Sequence, residues 1–178
     1  VVLGFFALMI LASFLQNVFG YTYRLNVFNA GLALGLAVIP IVFTVAEDAM
    51  TSVPRSLRDA GLALGANSWQ VSMTVVLPAA LPGIAAGVVL GFGRAIGETM
   101  IVLMASGNAA IVSASFFHSV RTISATIAAE MGEVVFGSTH YNVLFFLGTL
   151  LFIFTFAINL GGDMVLTRLR RKLQGKMQ

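Results

Sequence analysis

Residues 58–78 read RDAGLALGANSWQVSMTVVLP and contain the start and stop signals of a helix, a turn and a second helix. Gly65 is placed to end the first helix, because a left-handed residue after a last turn costs least without a side chain. Asn67 or Ser68 can cap the second helix, and Pro78 can stop it. The stretch therefore predicts a small helical elbow, which we delimit as residues 47–82.

The first helix of this elbow has two possible starts. Ser52 can cap it, with Pro54 in the first turn, or Ser56 and Asp59 can form a capping box. Apolar residues then recur at helical spacing and predict an apolar face on each helix: Leu57, Ala60 and Leu64, then Trp69, Met73 and Val76.

The composition is that of a membrane protein. The 178 residues are 58% hydrophobic and 10% charged, whereas a soluble domain carries about 25% charged residues. The absence of cysteine excludes disulfides and thiolate metal sites. The chain begins at Val1 inside an apolar run, so we expect a fragment of a longer protein.

Four stretches are apolar enough to span a bilayer, which takes about 20 residues. They lie at 1–19, 30–46, 83–106 and 141–162. The connection 107–141 is more polar and includes a helix-prone stretch at 121–131. Positive residues favour the cytoplasm, so the basic tail, 163–178, predicts a cytoplasmic C-terminus and a cytoplasmic elbow. The charges of this tail also suit lipid headgroups and explain the net charge of +3 without a nucleic-acid partner.

Arg94 and Glu98 lie near the middle of the third predicted span. Each charge at a helix centre costs about 2.5–3.5 kcal/mol, and the i,i+4 spacing would let the two side chains pair. Nearby glycines would allow close approach of another helix; they are Gly87, Gly91, Gly93 and Gly97.

The pair has two interpretations. It is either an internal salt bridge that fixes packing or part of a substrate path, which intramembrane charges often mark. A guanidinium can bind two oxygens of a tetrahedral oxyanion at once. In the second interpretation, Glu98 holds Arg94 while the path is empty and is exchanged for the anion during passage.

The order Asp59-Ala60-Gly61, three residues, Gly65, nine residues and Val75-Val76-Leu77-Pro78 resembles the EAA loop of ABC-transporter membrane subunits. Asp replaces Glu, Gly replaces the second Ala and Val replaces Ile. The resemblance implies a coupling helix that docks in a cleft of a cytoplasmic ATPase. It carries this role to Asp59, Ala60, Gly61, Gly65, Leu77 and Pro78. An amphipathic helix that presents Trp69 and Leu64 also suits a groove in a partner protein. The alternative is an interfacial helix packed on its own bundle.

Residues 93–108, GRAIGETMIVLMASGN, and 1–11, VVLGFFALMIL, resemble the phosphate-specific (Pst-type) permeases, and the C-type subunit more than the A-type. The resemblance implies an all-α polytopic transmembrane helical bundle of the type I ABC importer class. Residues 1–178 would then hold four of six spans in a bacterial inner-membrane protein, with Arg94 and Glu98 in translocation. It also implies a heterodimer with a second permease subunit, two copies of an ABC ATPase and an external phosphate-binding protein.

Other function classes lack the residues they need. No phosphate loop, Ser/His/Asp set or HExxH motif is present, so we predict no catalytic residue. His118 and His140 have no second ligand motif nearby, so no metal or cofactor site is expected. In the external loop, Arg121, Glu130 and Glu133 either receive a binding protein or are solvated. The open alternatives for function are a permease for sulfate or molybdate and a non-conducting membrane interaction or sensory subunit.

Overall fold

The computed structural model describes residues 1–174, without the side chains of Val165 and of 169–174. We number its helices α1 (Val2–Phe19), α2 (Val27–Thr51), α3 (Arg55–Ala63), α4 (Ser68–Ile96), α5 (Met100–Ala105), α6 (Ile123–Glu130) and α7 (Thr139–Gln174). Across the described residues there is one isolated bridge, Gly107 to Val120, and no strand. The predicted all-α fold class is confirmed.

Four of these helices, α1, α2, α4 and the Thr139–Arg168 part of α7, are long and apolar enough to cross a membrane. Large apolar side chains along them are exposed, among them Phe14, Phe43, Phe92 and Phe152. Such a surface suits a hydrocarbon solvent rather than water. The chain is therefore a multi-pass membrane protein, as predicted. Within the predicted basic tail, Arg170, Arg171, Lys172 and Lys176 lie outside the described side chains.

The predicted limits of the third span were wrong. The spanning helix is Ser68–Ile96 rather than 83–106, because the second helix of the elbow continues into it without stopping at Pro78. A π-helical stretch, Ser72–Val76, directly precedes this point. Its wider turn gives the proline ring more room against the preceding turn, with which it would otherwise clash.

The first helix of the elbow starts at neither predicted cap. It begins at Arg55 with Pro54 in the cap position and no side-chain capping bond. The Ser52 hydroxyl instead donates to the Ala49 carbonyl, 2.8 Å away, because α2 runs on to Thr51 and its last carbonyls need donors.

The chain divides into two compact units, of which the first comprises Val1–Val38 and Arg94–Ala157. Its core is built from small side chains with one larger one: Ala7, Ala30, Ala33, Ile101 and Ala105. Helix α5 packs so tightly on α1 that a Cβ at Gly4 would lie 3.0 Å from the Met104 sulfur. Small residues thus let these helices approach closely.

The loop after α5 is tied to the segment before α6. The Ser106 hydroxyl donates to the Val120 carbonyl at 2.9 Å, and the Ser119 hydroxyl donates to the Ser106 carbonyl at 2.8 Å. Gly107 has a φ of 80°, and a Cβ there would collide with Ser119. The predicted short helix is confirmed as α6, which is capped by the Thr122 side chain.

The second unit comprises Ile39–Gly93 and the described part of Ile158–Gln178. Helix α4 approaches α2 at Gly83 and Gly87, where added Cβ atoms would meet Ala49 and Val45. It approaches α7 at Gly93, where an added Cβ would meet Asn159. The prediction that Gly87 and Gly93 admit neighbouring helices is confirmed.

Gly83→Ala should destabilise the protein by about 1–3 kcal/mol, the usual penalty for overpacking, because the new methyl would overlap Ala49. Gly35→Ala is the matched control, since Gly35 is also helical and a Cβ there meets nothing within 4 Å. Thermal unfolding of both variants in one detergent checks this. Equal midpoints would show that the α2–α4 contact tolerates the methyl.

Candidate functional site

The elbow has its own apolar core. Val53, Val71, Val76 and Ala80 are buried in it. A Cβ on Gly61 would lie 3.0 Å from a methyl of Val71, tighter than nearly all real contacts of this kind. Glycine at the third position of the EAA-like motif therefore lets α3 lie directly on α4.

The turn between α3 and α4 is closed by backbone hydrogen bonds. Gly65 has a φ of +86°, and its N–H donates to the Leu62 carbonyl at 2.9 Å. The Ala66 N–H donates to the Gly61 carbonyl at 3.3 Å. This pair of bonds is a Schellman motif, which uses the last carbonyls of a helix. The predicted left-handed role of Gly65 is confirmed.

Helix α4 starts with a reciprocal cap. Asn67 Oδ1 accepts from the Gln70 N–H at 2.8 Å, and Gln70 Oε1 accepts from the Asn67 N–H at 2.9 Å. Asn67 is therefore the cap, rather than its alternative Ser68. Together with the turn, this fixes the direction in which α4 leaves the elbow.

The predicted apolar faces mostly point outward. Leu64 is 90% exposed and Trp69 is 69% exposed. Leu57, Asp59, Ala60 and Met73 are also exposed, whereas Val76 is buried. Of the other predicted coupling residues, Leu77 is half-buried and Pro78 is exposed. We call Leu57, Asp59, Ala60, Leu64 and Trp69 the elbow surface. It presents large apolar side chains from a rigid turn.

A second candidate region lies between the end of α4 at Ile96 and the start of α5 at Met100, where three residues separate the two helices. Glu98 Oε1 accepts from the Ile101 N–H at 3.4 Å, in the first turn of α5. The Ser124 hydroxyl on α6 donates to the Glu98 carbonyl at 3.1 Å. Glu98 is thus held at a break rather than inside a continuous helix.

The expected Arg94–Glu98 pair is not formed. Among the described side chains, the ion pairs involve Arg121, Glu130 and His140 instead. The i,i+4 relation requires an unbroken helix, and the carboxylate of Glu98 is turned toward α5. Arg94 lies in the last turn of α4 and is exposed, which leaves its guanidinium donors open to an anion.

Sequence reasoning missed two residues that hold these regions. Arg58 Nη2 donates to the Met50 carbonyl at 2.7 Å and ties α3 to the end of α2. Ser124 ties α6 to the break at Glu98. Neither bond has a local sequence signal, because each partner lies eight or more residues away in the chain.

A charged clasp joins the loop after α5, α6 and the start of α7. Arg121 pairs with Glu130 Oε1, and His140 Nε2 lies 2.8 Å from Glu130 Oε2. Arg121 Nε also donates to the Asn108 carbonyl at 3.2 Å. The pKa of Glu130 is lowered, chiefly by the hydrogen bond from His140 and also by the one from Arg121. Arg121 and Glu130 therefore bind each other, whereas Glu133 is exposed and makes no ion pair among the described side chains.

Comparison with known proteins gives a consistent set of relatives. The family model of the binding-protein-dependent transport system inner membrane component matches residues 1–175. The probable ABC transporter permease protein YqgH of Bacillus subtilis (strain 168) is 34% identical over 156 residues, 88% of this chain and 50% of that protein.

Several relatives are named phosphate transport system permease protein PstC. That of Xylella fastidiosa (strain Temecula1) is 38% identical over 144 residues, 81% of this chain and 44% of that protein. That of Pasteurella multocida (strain Pm70) is 34% identical over 153 residues, 86% and 47% of the two chains. The expected likeness to C-type permeases is confirmed. The chain spans about half the length of these relatives, and no solved structure matches it.

The clasp around Glu130 should make stability depend on pH. Because the pKa of Glu130 is lowered in the folded protein, its contribution is present at neutral pH and is lost as the pH falls through that lowered pKa. Glu130→Gln should reduce the thermal midpoint at pH 7 more than Glu133→Gln does, since Glu133 is exposed and makes no ion pair among the described side chains. The difference in thermal midpoint between the two variants should vanish on acidification. A difference that stays constant across the pH series would contradict the role of Glu130 in the clasp.

Proposed function

Because the chain belongs to the family of binding-protein-dependent transport system inner membrane components, we propose that it is a permease subunit of an ATP-driven importer for inorganic phosphate. The relatives named as phosphate transport permeases support this substrate. The chain itself supplies the membrane path and the gate. ATP is hydrolysed by a separate partner.

The elbow surface is the observation that carries this proposal. Leu64 and Trp69 are large, apolar and exposed, yet they stand on a turn fixed by its own hydrogen bonds and core. Tryptophan is among the residues that most often dominate binding energy at interfaces. A backbone turn that is already fixed in this way loses little conformational freedom on docking. These properties support insertion into a cleft of the ATPase.

The break between α4 and α5 is the proposed anion route. The guanidinium of Arg94 offers a planar fork of donors that matches two oxygens of phosphate. Glu98 bonds to the first turn of α5, so in this state it does not compete with the anion for Arg94. We therefore assign Arg94 to anion contact and Glu98 to holding the break. The earlier exchange hypothesis would need a second state in which the two residues pair.

The remaining parts of the proposed assembly follow from the same family membership. The family description, a binding-protein-dependent system, supports an external binding protein as the donor of substrate, and the names of the phosphate permeases support phosphate as its ligand. A second permease subunit completes the path as a heterodimer, and two ATPase copies face it. In this arrangement, the elbow and the C-terminus are cytoplasmic.

Trp69→Ala should weaken retention of the ATPase by about 30-fold, which corresponds to the loss of about 2 kcal/mol at an interface hot spot. The variant should still insert and keep its thermal midpoint, since Trp69 is largely exposed. Phe136→Ala is the matched control, because Phe136 is an 84% exposed aromatic on the loop predicted to lie outside. Co-purification from membranes measures both variants. Equal retention would refute the docking role.

Arg94→Ala should abolish phosphate uptake, and Arg94→Lys should impair it, because an ammonium lacks the planar fork. The measurement is labelled phosphate uptake in cells that lack their own system and carry the full-length parent and its partners. Sulfate and molybdate are tested in parallel, and Arg24→Ala is the control, since Arg24 is exposed on the first loop. Uptake that is unchanged in Arg94→Ala would show that the residue is structural. If the wild type imports sulfate or molybdate but no phosphate, the substrate is that anion rather than phosphate.

A further inference from the structure

Arg58 makes a connection that no other side chain of α3 makes. Its Nη2 donates to the Met50 carbonyl at 2.7 Å, across eight residues of sequence. In the described part of the chain, no other side-chain hydrogen bond joins α3 to another helix. The helix also has no side-chain cap at its start. Apart from the short linker at 52–54 and apolar packing, α3 is joined to α2 by this one bond.

The bond lies at the end of a membrane-spanning helix. Met50 is the second-last residue of α2, where carbonyls lack partners within the helix and cations are favoured. Directly beside it, Ala49 is in contact with α4 at Gly83. A displacement of the Met50 carbonyl is therefore a displacement of the packed α2–α4 pair.

The guanidinium is not fully satisfied in this position. Its Nε is buried and has no hydrogen-bond partner, and a buried donor without an acceptor is costly. The neighbouring carbonyls of Asp48 and Ala49 already accept from Thr51 and Ser52, so the guanidinium is held at the Met50 carbonyl.

We propose that Arg58 is the positioning residue that transmits movement of α3 to α2, so that an ATPase bound at the elbow surface moves a membrane span. The inference rests on the proposed function and adds a mechanical role for one side chain. Docking and transmission are then separate tasks. The elbow surface binds the partner, and Arg58 passes the movement on.

The test compares Arg58→Met with Arg55→Met in the full-length transporter, reconstituted in proteoliposomes with its partner permease, its ATPase and its binding protein. Methionine keeps an unbranched stem but removes the donors. Arg55 is on the same helix, is exposed and makes no side-chain hydrogen bond among the described residues. Three quantities are measured: ATPase retention, the rate of ATP hydrolysis, and phosphate imported per ATP hydrolysed.

We expect Arg58→Met to retain the ATPase and hydrolyse ATP while importing several-fold less phosphate per ATP, because the hydrogen bond that joins α3 to α2 is lost. Arg55→Met should match the wild type. Arg58→Lys keeps a charged donor group and should recover most of the phosphate imported per ATP.

Four outcomes would overturn the proposal. An unchanged ratio in Arg58→Met would show that the bond transmits nothing. Loss of ATPase retention would place Arg58 in the docking surface, and loss from the membrane would make it a static brace. Wild-type proteoliposomes that show no ATP-dependent uptake would instead refute the proposed function, and this inference with it.

Discussion

The close approach of α3 to α4 at Gly61 and Val71 is the constraint on which the elbow depends. A Cβ at residue 61 would lie 3.0 Å from a methyl of Val71, so a large side chain there would press on the buried cluster around Val71. The turn at Gly65 is closed by hydrogen bonds that reach back to Leu62 and Gly61 within the same segment, and it returns the chain alongside α3. The exposure of Leu64 and Trp69 is thus a consequence of packing beneath them, and a rigid apolar surface results.

A different constraint governs the short helix α5. Six residues cannot form a stable helix alone, and free backbone groups are costly in an apolar environment. Its first turn receives the carboxylate of Glu98, and its last residue, Ala105, receives a side-chain N–H of the fully buried Asn29. Packing on α1 at Gly4 holds its side. The break at Glu98 is therefore supported from both ends of the helix that follows it.

The sequence alone was enough for features with local causes. The all-α class and the number of spans follow from composition, while the roles of Gly65 and Asn67 follow from the conformational preferences of single residues. The failures involve competition or distance. Pro78 was expected to stop a helix, but the π-helical stretch before it accommodates the ring. Arg94 and Glu98 were expected to pair, but the Glu98 carboxylate accepts a hydrogen bond from the first turn of α5 instead. The bonds of Arg58 and Ser124 depend on where other helices end, which no local pattern encodes.

The π-helical stretch at Ser72–Val76 also sets a rotational phase. It lies between Trp69 and the glycines that seat α4 on α2. A π-helical turn holds more residues than an α-helical turn, so the stretch takes up an extra residue without the rotation of about 100° that one residue adds to a regular helix. The direction of Trp69 relative to those glycines therefore depends on how the stretch is wound. Rewinding it as ordinary helix at constant length would turn the elbow surface about the axis of α4 without rebuilding the membrane helices.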